Sequence, residues 1–298
     1  MLTALMNSSP VASAAALFAL LLAANLRLSL RSCRGTTLAA PCVWAMISAT
    51  CLALITALEA LSPAQTITSD ALRFAAAAST FCPLMAVLGA KRPQDRGWQW
   101  IVLSLWAVAV WPAVQAVLIP SGTQLELFIV WKLFLLGLVA VGLLNYLPTR
   151  FACPALLVAV GQLILLDGYL WSWNLVPNQF VFFLAIVCFC AAQILVVLLS
   201  KRAEPSLDSS DATSLEHYEQ LWLRFRNAFG AFWGLRILAR VNETAQLRDW
   251  PFRLTWAGFE SHPLDSNETP NETQLAELDQ TLATLLRRFN KIADDQSS

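Results

Sequence analysis

The most regular feature of the sequence is a series of long apolar stretches separated by short polar loops. A bilayer core about 30 Å thick requires about 20 apolar residues per helix, because every backbone polar group must be satisfied within the helix. Seven stretches meet this requirement, and they run approximately over residues 10–26, 37–61, 70–89, 98–119, 125–147, 153–171 and 179–199. The pattern therefore predicts an all-α integral membrane protein with seven transmembrane helices within residues 1–202.

The loops between these stretches differ in charge on the two sides of the membrane. One set carries nine basic residues, which are Arg27, Arg31, Arg34, Lys91, Arg92, Arg96, Arg150, Lys201 and Arg202. The alternate set, at residues 7–9, 62–69, 121–124 and 172–178, carries none. Because basic residues in short loops stay in the cytoplasm, we predict an N-terminus outside, a cytoplasmic C-terminal tail and a location in the cell (inner) membrane.

Composition supports a membrane domain followed by a polar tail. The chain is 57% hydrophobic and only 13% charged, against about 25% charged residues in a soluble domain. Its net charge of zero does not suit a nucleic-acid binder. Residues 1–202 hold eleven basic and five acidic residues, a charge of +6, whereas residues 203–298 hold nine and fifteen, a charge of −6. We therefore divide the chain into a membrane domain, a linker at 203–212 and a mainly helical tail at 213–298.

Two of the prolines in the predicted spans lie deep inside a helix and should kink or break it. They are Pro83 in the third span and Pro112 in the fourth. A kink can form a cavity or a hinge, or it can simply shape helix packing, since proline is common in membrane helices. Near the outer boundary, Glu59 and the pair Asp70 and Arg73 are expected to be solvated at the interface.

Ionisable residues at membrane depth are costly and therefore indicate a candidate site. Lys132 lies 18 residues before Arg150 and Asp167 lies 17 after it, on two spans joined by a short turn. Equal separation from the turn predicts equal depth, so the two side chains could form an ion pair. The pair would serve either as a relay or ligand counter-charge, or as a structural link between helices. Gln162 and Gln115 complete this candidate polar site.

Motifs for catalysis or metal binding are missing from the sequence. It contains no HExxH, GxSxG, Walker A or GxGxxG motif, and its seven cysteines form no CxxC pair. Both histidines, His217 and His262, lie in the tail. We therefore predict no catalytic residues, no metal site and no cofactor, and an enzyme is the less favoured class.

The tail predicts two amphipathic helices. Thr213 and Glu216 have the spacing of a capping box before the first, whose apolar stripe runs from Leu215 to Phe232. The second is predicted to begin with Thr269 as its cap, Pro270 in the first turn and Glu272 completing the box. Its apolar stripe runs from Leu275 to Ile292, and we call the first five members the association stripe: Leu275, Leu278, Leu282, Leu285 and Phe289.

Both stripes have heptad spacing but are short for an independent coiled coil. The helices should therefore pack on each other or dimerise between chains. Basic residues beside the first stripe, including Arg224 and Arg226, offer docking on the anionic inner leaflet as an alternative. Gly230 and Gly234 form a GxxxG motif, which is a weak signal outside lipid. Residues 250–257 alternate apolar and polar positions, as a short extended segment would.

These features favour a non-enzymatic membrane protein. In architecture alone it resembles seven-helix receptors and bacterial membrane sensors, so the leading hypothesis is a sensor or scaffold whose tail mediates association. The alternative is a small transporter or permease-like protein that uses Lys132 and Asp167. The expected partners are the lipid bilayer and, through the tail, a second copy of the chain or a cytoplasmic protein.

Overall fold

The computed structural model describes residues 10–61, 66–91, 94–119, 125–171, 175–201, 215–261 and 271–289. Within these ranges, seven helical segments are long and apolar enough to cross a membrane, which confirms a multi-pass all-α membrane protein. The helices are α1 (Pro10–Cys33), α2 (Ala39–Leu61), α3 (Ile67–Ser79), α4 (Cys82–Leu88), α5 (Asp95–Leu118), α6 (Ile129–Tyr146), α7 (Ala152–Leu170) and α8 (Asn178–Lys201). Helices α3 and α4 together form the third span.

Large apolar side chains cover much of the outer surface of the spans. Leu54, Trp100 and Val130 are each at least 60% exposed, and similar residues occur on the other spans. A patch of this extent is unfavourable in water and favourable against lipid. The lipid bilayer is therefore the partner of this surface.

The first span is longer than its apolar stretch. Helix α1 continues from the predicted end at Leu26 to Cys33, so Arg27 and Arg31 lie on its last turns and not in a loop. Arginine can lie at the end of a membrane helix because its long side chain carries the charge out to the interface. The hydropathy boundary therefore marks the apolar core and not the end of the helix.

The third span is broken near its middle, as Pro83 predicts. Helix α3 ends at Ser79, and α4 begins at Cys82 with Pro83 in its first turn. Proline has no N–H, so it cannot donate to the carbonyl four residues earlier, which belongs to Ser79. Pro112, in contrast, lies inside α5 without interrupting that helix.

The fifth span begins later than its apolar stretch. Residues 125–128 are not helical, and the Leu125 N–H donates to Asp70 Oδ2 at 2.9 Å. This bond holds the chain against α3 until the helix starts at Ile129. Lys132 therefore lies on the first turn of α6, closer to the end of the span than its position in the apolar stretch indicates.

The tail contains helix α9 (Leu215–Leu247), strands β1 (Phe252–Leu254) and β2 (Phe259–Ser261), and helix α10 (Glu272–Leu286). The strands form an antiparallel hairpin that places Phe252 opposite Ser261. Phe252 and Leu254 are buried while Arg253 between them is exposed. The alternating residues that precede the hairpin turn thus form its first strand.

Helix α10 starts two residues later than the expected caps suggest. Its N-cap is Asn271, which exchanges hydrogen bonds with Gln274 in a reciprocal capping box. Glu272 is therefore the first helical residue and does not complete the box. The other predicted capping residues, Thr213, Thr269 and Pro270, lie outside the described residues.

The tail packs directly on one end of the helical bundle, which we call the tail end. Its core joins Trp222, Phe229 and Val241 of α9 to Leu278 and other residues of the second tail helix, and it continues to Ala90 and Leu38 in the membrane domain. The apolar faces of the two tail helices are thus covered partly by each other and partly by the membrane domain.

Candidate functional site

A mostly apolar cavity with a volume of about 540 Å³ lies inside the tail end of the bundle. This volume is within the range of small-molecule sites in proteins. Six of the seven spans and the tail helix α9 contribute to its wall. Representative lining residues are Leu22, Leu26, Ala45, Ala49, Leu84, Leu143, Ala155, Val158, Phe189, Val196 and Ala228. A wall of this composition suits an apolar ligand.

The deep end of the cavity contains the polar groups that repair the break in the third span. The Ser48 hydroxyl donates to the Ser79 carbonyl at 2.6 Å, and Gln162 Nε2 donates to the Thr80 carbonyl at 3.1 Å. The Ser79 carbonyl is the one that Pro83 leaves without a helical partner. Because an unsatisfied carbonyl is costly in the membrane, these two side chains stabilise the break.

The tail closes the opposite end of the cavity. Asn227 and Ala228 of α9 line it beside Tyr146, the last residue of α6. The Tyr146 hydroxyl donates to the Ala228 carbonyl at 3.3 Å. The wall of the cavity at this end is therefore built from two parts of the chain, the bundle and the tail.

A break in α9 lets the tail approach the bundle closely. Gly230 has φ 77° and ψ −170°, a backbone conformation that only glycine adopts readily. A Cβ at this position would overlap the Asn145 side chain and lie 2.7 Å from the Asn145 carbonyl oxygen. After the break, the Phe232 N–H donates to Asn145 Oδ1 at 2.9 Å. Gly230 thus supplies both the turn and the space that docking requires.

Further hydrogen bonds hold the tail to the bundle on either side of this contact. The Trp233 indole donates to the Val87 carbonyl at 2.9 Å, and the Trp256 indole donates to the Pro148 carbonyl at 2.7 Å. The Thr37 N–H donates to the Phe289 carbonyl at 3.0 Å. These partners are at or near the ends of helices, where carbonyls and N–H groups lack helical partners.

The association stripe faces the inside of this docked unit. Leu278, Leu282 and Phe289 are almost fully buried, and Leu275 and Leu285 are partly buried against the same core. The Phe289 ring contacts Phe225, Phe229 and Trp233 at centroid distances of 4.9–5.2 Å. In the docked state the stripe is therefore not available to a second chain.

Three arginines, which we call the arginine cluster, lie where the tail meets the α6–α7 turn. They are Arg150, Arg224 and Arg226. Burial lowers the pKa of Arg150, and the charge of Arg224 lowers it further. Burial also lowers the pKa of Arg226, with Arg150 as the second cause. The ion pairs formed among the described residues include none of these three side chains.

The candidate polar site is dispersed in the structure. Lys132 is half-buried on the first turn of α6, Asp167 is buried near the end of α7, and no ion pair joins the two among the described residues. Asp167 Oδ2 accepts from the Val176 N–H at 3.2 Å, while its Oδ1 is buried without a hydrogen-bond partner in the described chain. Gln115 is exposed on α5, away from the cavity. Only Gln162 of this set lines the cavity.

The end of the bundle opposite the tail carries a polar network of half-buried side chains. Arg73 Nε lies 2.7 Å from Glu59 Oε1, an ion contact whose N–H is not directed at the oxygen. Asp70 accepts from the Tyr169 hydroxyl at 2.8 Å. These residues are half-buried, so the expected interfacial solvation stays a prediction, and each also has a protein partner.

Metal-binding geometry is missing from the described residues, which contain no cluster of three His, Cys, Asp or Glu side chains. All seven cysteines are free thiols. No known protein family matches this chain, and no curated protein or solved structure is significantly similar to it.

Proposed function

We propose that this multi-pass membrane protein is a non-enzymatic sensor or scaffold whose tail switches between a docked and a released state. The observation that supports the proposal is that one short stretch of α9 both lines the cavity, through Asn227 and Ala228, and contains the break at Gly230. A ligand in the cavity would contact the tail only when the tail is docked.

Ligand binding and tail docking are coupled if the ligand binds the docked and released states with different affinities. A ligand shifts a conformational equilibrium only by as much as its affinity differs between the two states. Release of the tail would remove Asn227 and Ala228 from the cavity wall, so the affinity for the ligand must differ between the states. Release would also expose the association stripe to a second copy of the chain or to a cytoplasmic protein.

A substitution that fills the cavity tests this coupling. Ala155 lines the cavity on α7, whereas its neighbour Leu156 is 53% exposed on the lipid-facing surface. Ala155→Phe should change hydrogen exchange of the Phe232 amide at least several-fold, because the cavity wall includes the docked tail. Leu156→Phe is the matched control and should leave that amide unchanged. Equal exchange in both variants, with both proteins folded, would reject the coupling.

We further propose that the tail lies in the cytoplasm and that the protein resides in the inner membrane. The charge asymmetry of the loops supports this orientation. A reporter active only in the cytoplasm should be active when fused after Arg202 and silent when inserted at residues 121–124. The opposite pattern would reverse the orientation of every loop.

A transporter is the second candidate, and the buried Asp167 supports it. Asp167 is an intramembrane carboxylate whose Oδ1 has no hydrogen-bond partner among the described residues, and an ionisable group at membrane depth is a functional hypothesis by default. Purified protein in liposomes should then carry a flux driven by a pH gradient, and Asp167→Asn should abolish that flux while the protein still folds. If the wild-type protein carries no flux, this candidate is removed.

A further inference from the structure

We propose that the ligand of the cavity is an anionic amphiphile, with its apolar chain in the cavity and a phosphate group bound by the arginine cluster. This inference rests on the proposed function, which makes the cavity a ligand site, and it adds the chemical class of the ligand. It is carried by the position and charge of the three arginines and by the buried Nε atoms of Arg150 and Arg226, which have no hydrogen-bond partner among the described residues.

The arginine cluster is adjacent to the tail end of the cavity. The Arg150 guanidinium lies 4.9 Å from the centroid of the Phe151 ring, and Phe151 lines the cavity. Arg226 donates through Nη2 to Asn227 Oδ1 at 3.1 Å, and Asn227 lines the cavity as well. The same Asn227 oxygen lies 3.5 Å from the Arg150 backbone nitrogen. The positive charges and the apolar space are therefore parts of one site.

Arg150 and Arg226 are half-buried, Arg224 is exposed, and the described residues place no negative charge in contact with them. The Nε atoms of Arg150 and Arg226 are buried without a hydrogen-bond partner in the described part of the chain. No carboxylate there forms an ion pair with Arg150, Arg224 or Arg226. Desolvating a guanidinium without a counter-charge is costly, so an anion at this place would stabilise the docked tail.

Phosphate is the anion that suits this arrangement. Arginine binds phosphate oxygens through two parallel N–H bonds, and a phosphate offers several such oxygens to several arginines. Basic pockets beside transmembrane helices bind lipid head groups in this way. A phospholipid would place one acyl chain against the aliphatic wall of the cavity while its head group reaches Arg150 and Arg226.

The Arg226 side chain also has a structural role, because it donates to the Trp256 carbonyl and stacks on the Trp256 ring. The variants that test the inference are therefore made at Arg150, as Arg150→Gln and Arg150→Lys. Arg240→Gln is the matched control, since Arg240 is an exposed tail residue paired with Glu243 and outside the cavity wall.

Binding is measured on the full-length protein in neutral detergent with two fluorescent probes of identical acyl chains. One probe is a phosphatidylglycerol and the other is the matching diacylglycerol, which lacks the phosphate. The phosphatidylglycerol should bind at least tenfold more tightly than the diacylglycerol. Arg150→Gln should remove most of that preference, Arg150→Lys should retain a larger part of it, and Arg240→Gln should not change it.

The outcomes separate this inference from the proposed function. If both probes bind equally and Ala155→Phe weakens both, the cavity is a ligand site and the phosphate inference is wrong. If Ala155→Phe weakens neither probe, the cavity is not the ligand site and the proposed function fails with it. If inorganic phosphate displaces the phosphatidylglycerol probe as well as unlabelled lipid does, the cluster binds free phosphate and the amphiphile is rejected.

Discussion

Replacement of Gly230 by alanine should release the tail from the bundle. In the docked tail Gly230 has φ 77° and ψ −170°, and a side chain in this region costs about 1–3 kcal/mol. In a released tail the same residue can adopt helical angles, where alanine is favoured over glycine by about 1 kcal/mol. The two effects together shift the docking equilibrium by about 2–4 kcal/mol towards release. The overlap with Asn145 adds to this value.

The Phe232 amide reports this shift, because its N–H donates to Asn145 Oδ1 only while the tail is docked. Exchange that proceeds through local opening follows the opening free energy. At about 1.4 kcal/mol per tenfold change, Gly230→Ala should speed exchange of this amide by about 30-fold to 700-fold. Hydrogen exchange followed by mass spectrometry of peptides covering residues 231–237 measures the effect.

Gly137→Ala is the control for this substitution. Gly137 lies within α6, and an added Cβ there would meet no atom within 4 Å. This variant should leave the Phe232 amide at its original exchange rate. If Gly230→Ala changes the rate by less than about threefold, the strained contact does not contribute to docking and the reasoning is refuted.

Two further substitutions, each with a matched control, test the interior of the membrane domain and the core of the tail. Gln162→Leu leaves the Thr80 carbonyl without its partner and should destabilise the protein by about 1–3 kcal/mol in thermal unfolding, whereas Gln115→Leu on the lipid-facing surface should not. Equal unfolding temperatures for the two would contradict the repair of the helix break. Leu278→Asp places a charge in the tail core and should make the tail sensitive to protease, while Ala276→Asp, which is exposed on the same helix, should not. A protease-resistant Leu278→Asp tail would show that this core does not hold the tail together.

Local sequence properties determined the membrane architecture. The need for about 20 apolar residues per span is a property of each segment alone, because a membrane helix satisfies its backbone internally. Pro83 acts in the same local way, since its missing N–H disrupts the helix wherever the helix packs. The seven spans and the break in the third could therefore be predicted without any knowledge of neighbouring segments.

Positions and pairings of polar groups in the spans depended on contacts between distant segments. Lys132 and Asp167 are equally distant from the α6–α7 turn in the sequence, but equal depth does not make two side chains face each other. The start of α6 is set by the bond between Leu125 and Asp70, which lie 55 residues apart. Neither the rotation of a helix nor such a long-range bond is encoded in the local pattern.

The tail shows most clearly which properties the local sequence determined and which depended on the tertiary structure. Its apolar stripes determined by themselves that two helices must be covered, because an exposed apolar face is unfavourable in water. What covers them was decided by the tertiary structure, in which Gly230 interrupts α9 so that Phe232 can reach Asn145. The GxxxG motif at Gly230 marks only a close approach and does not specify the partner. Docking depends on the matching of two surfaces, and that matching exists only once both have folded.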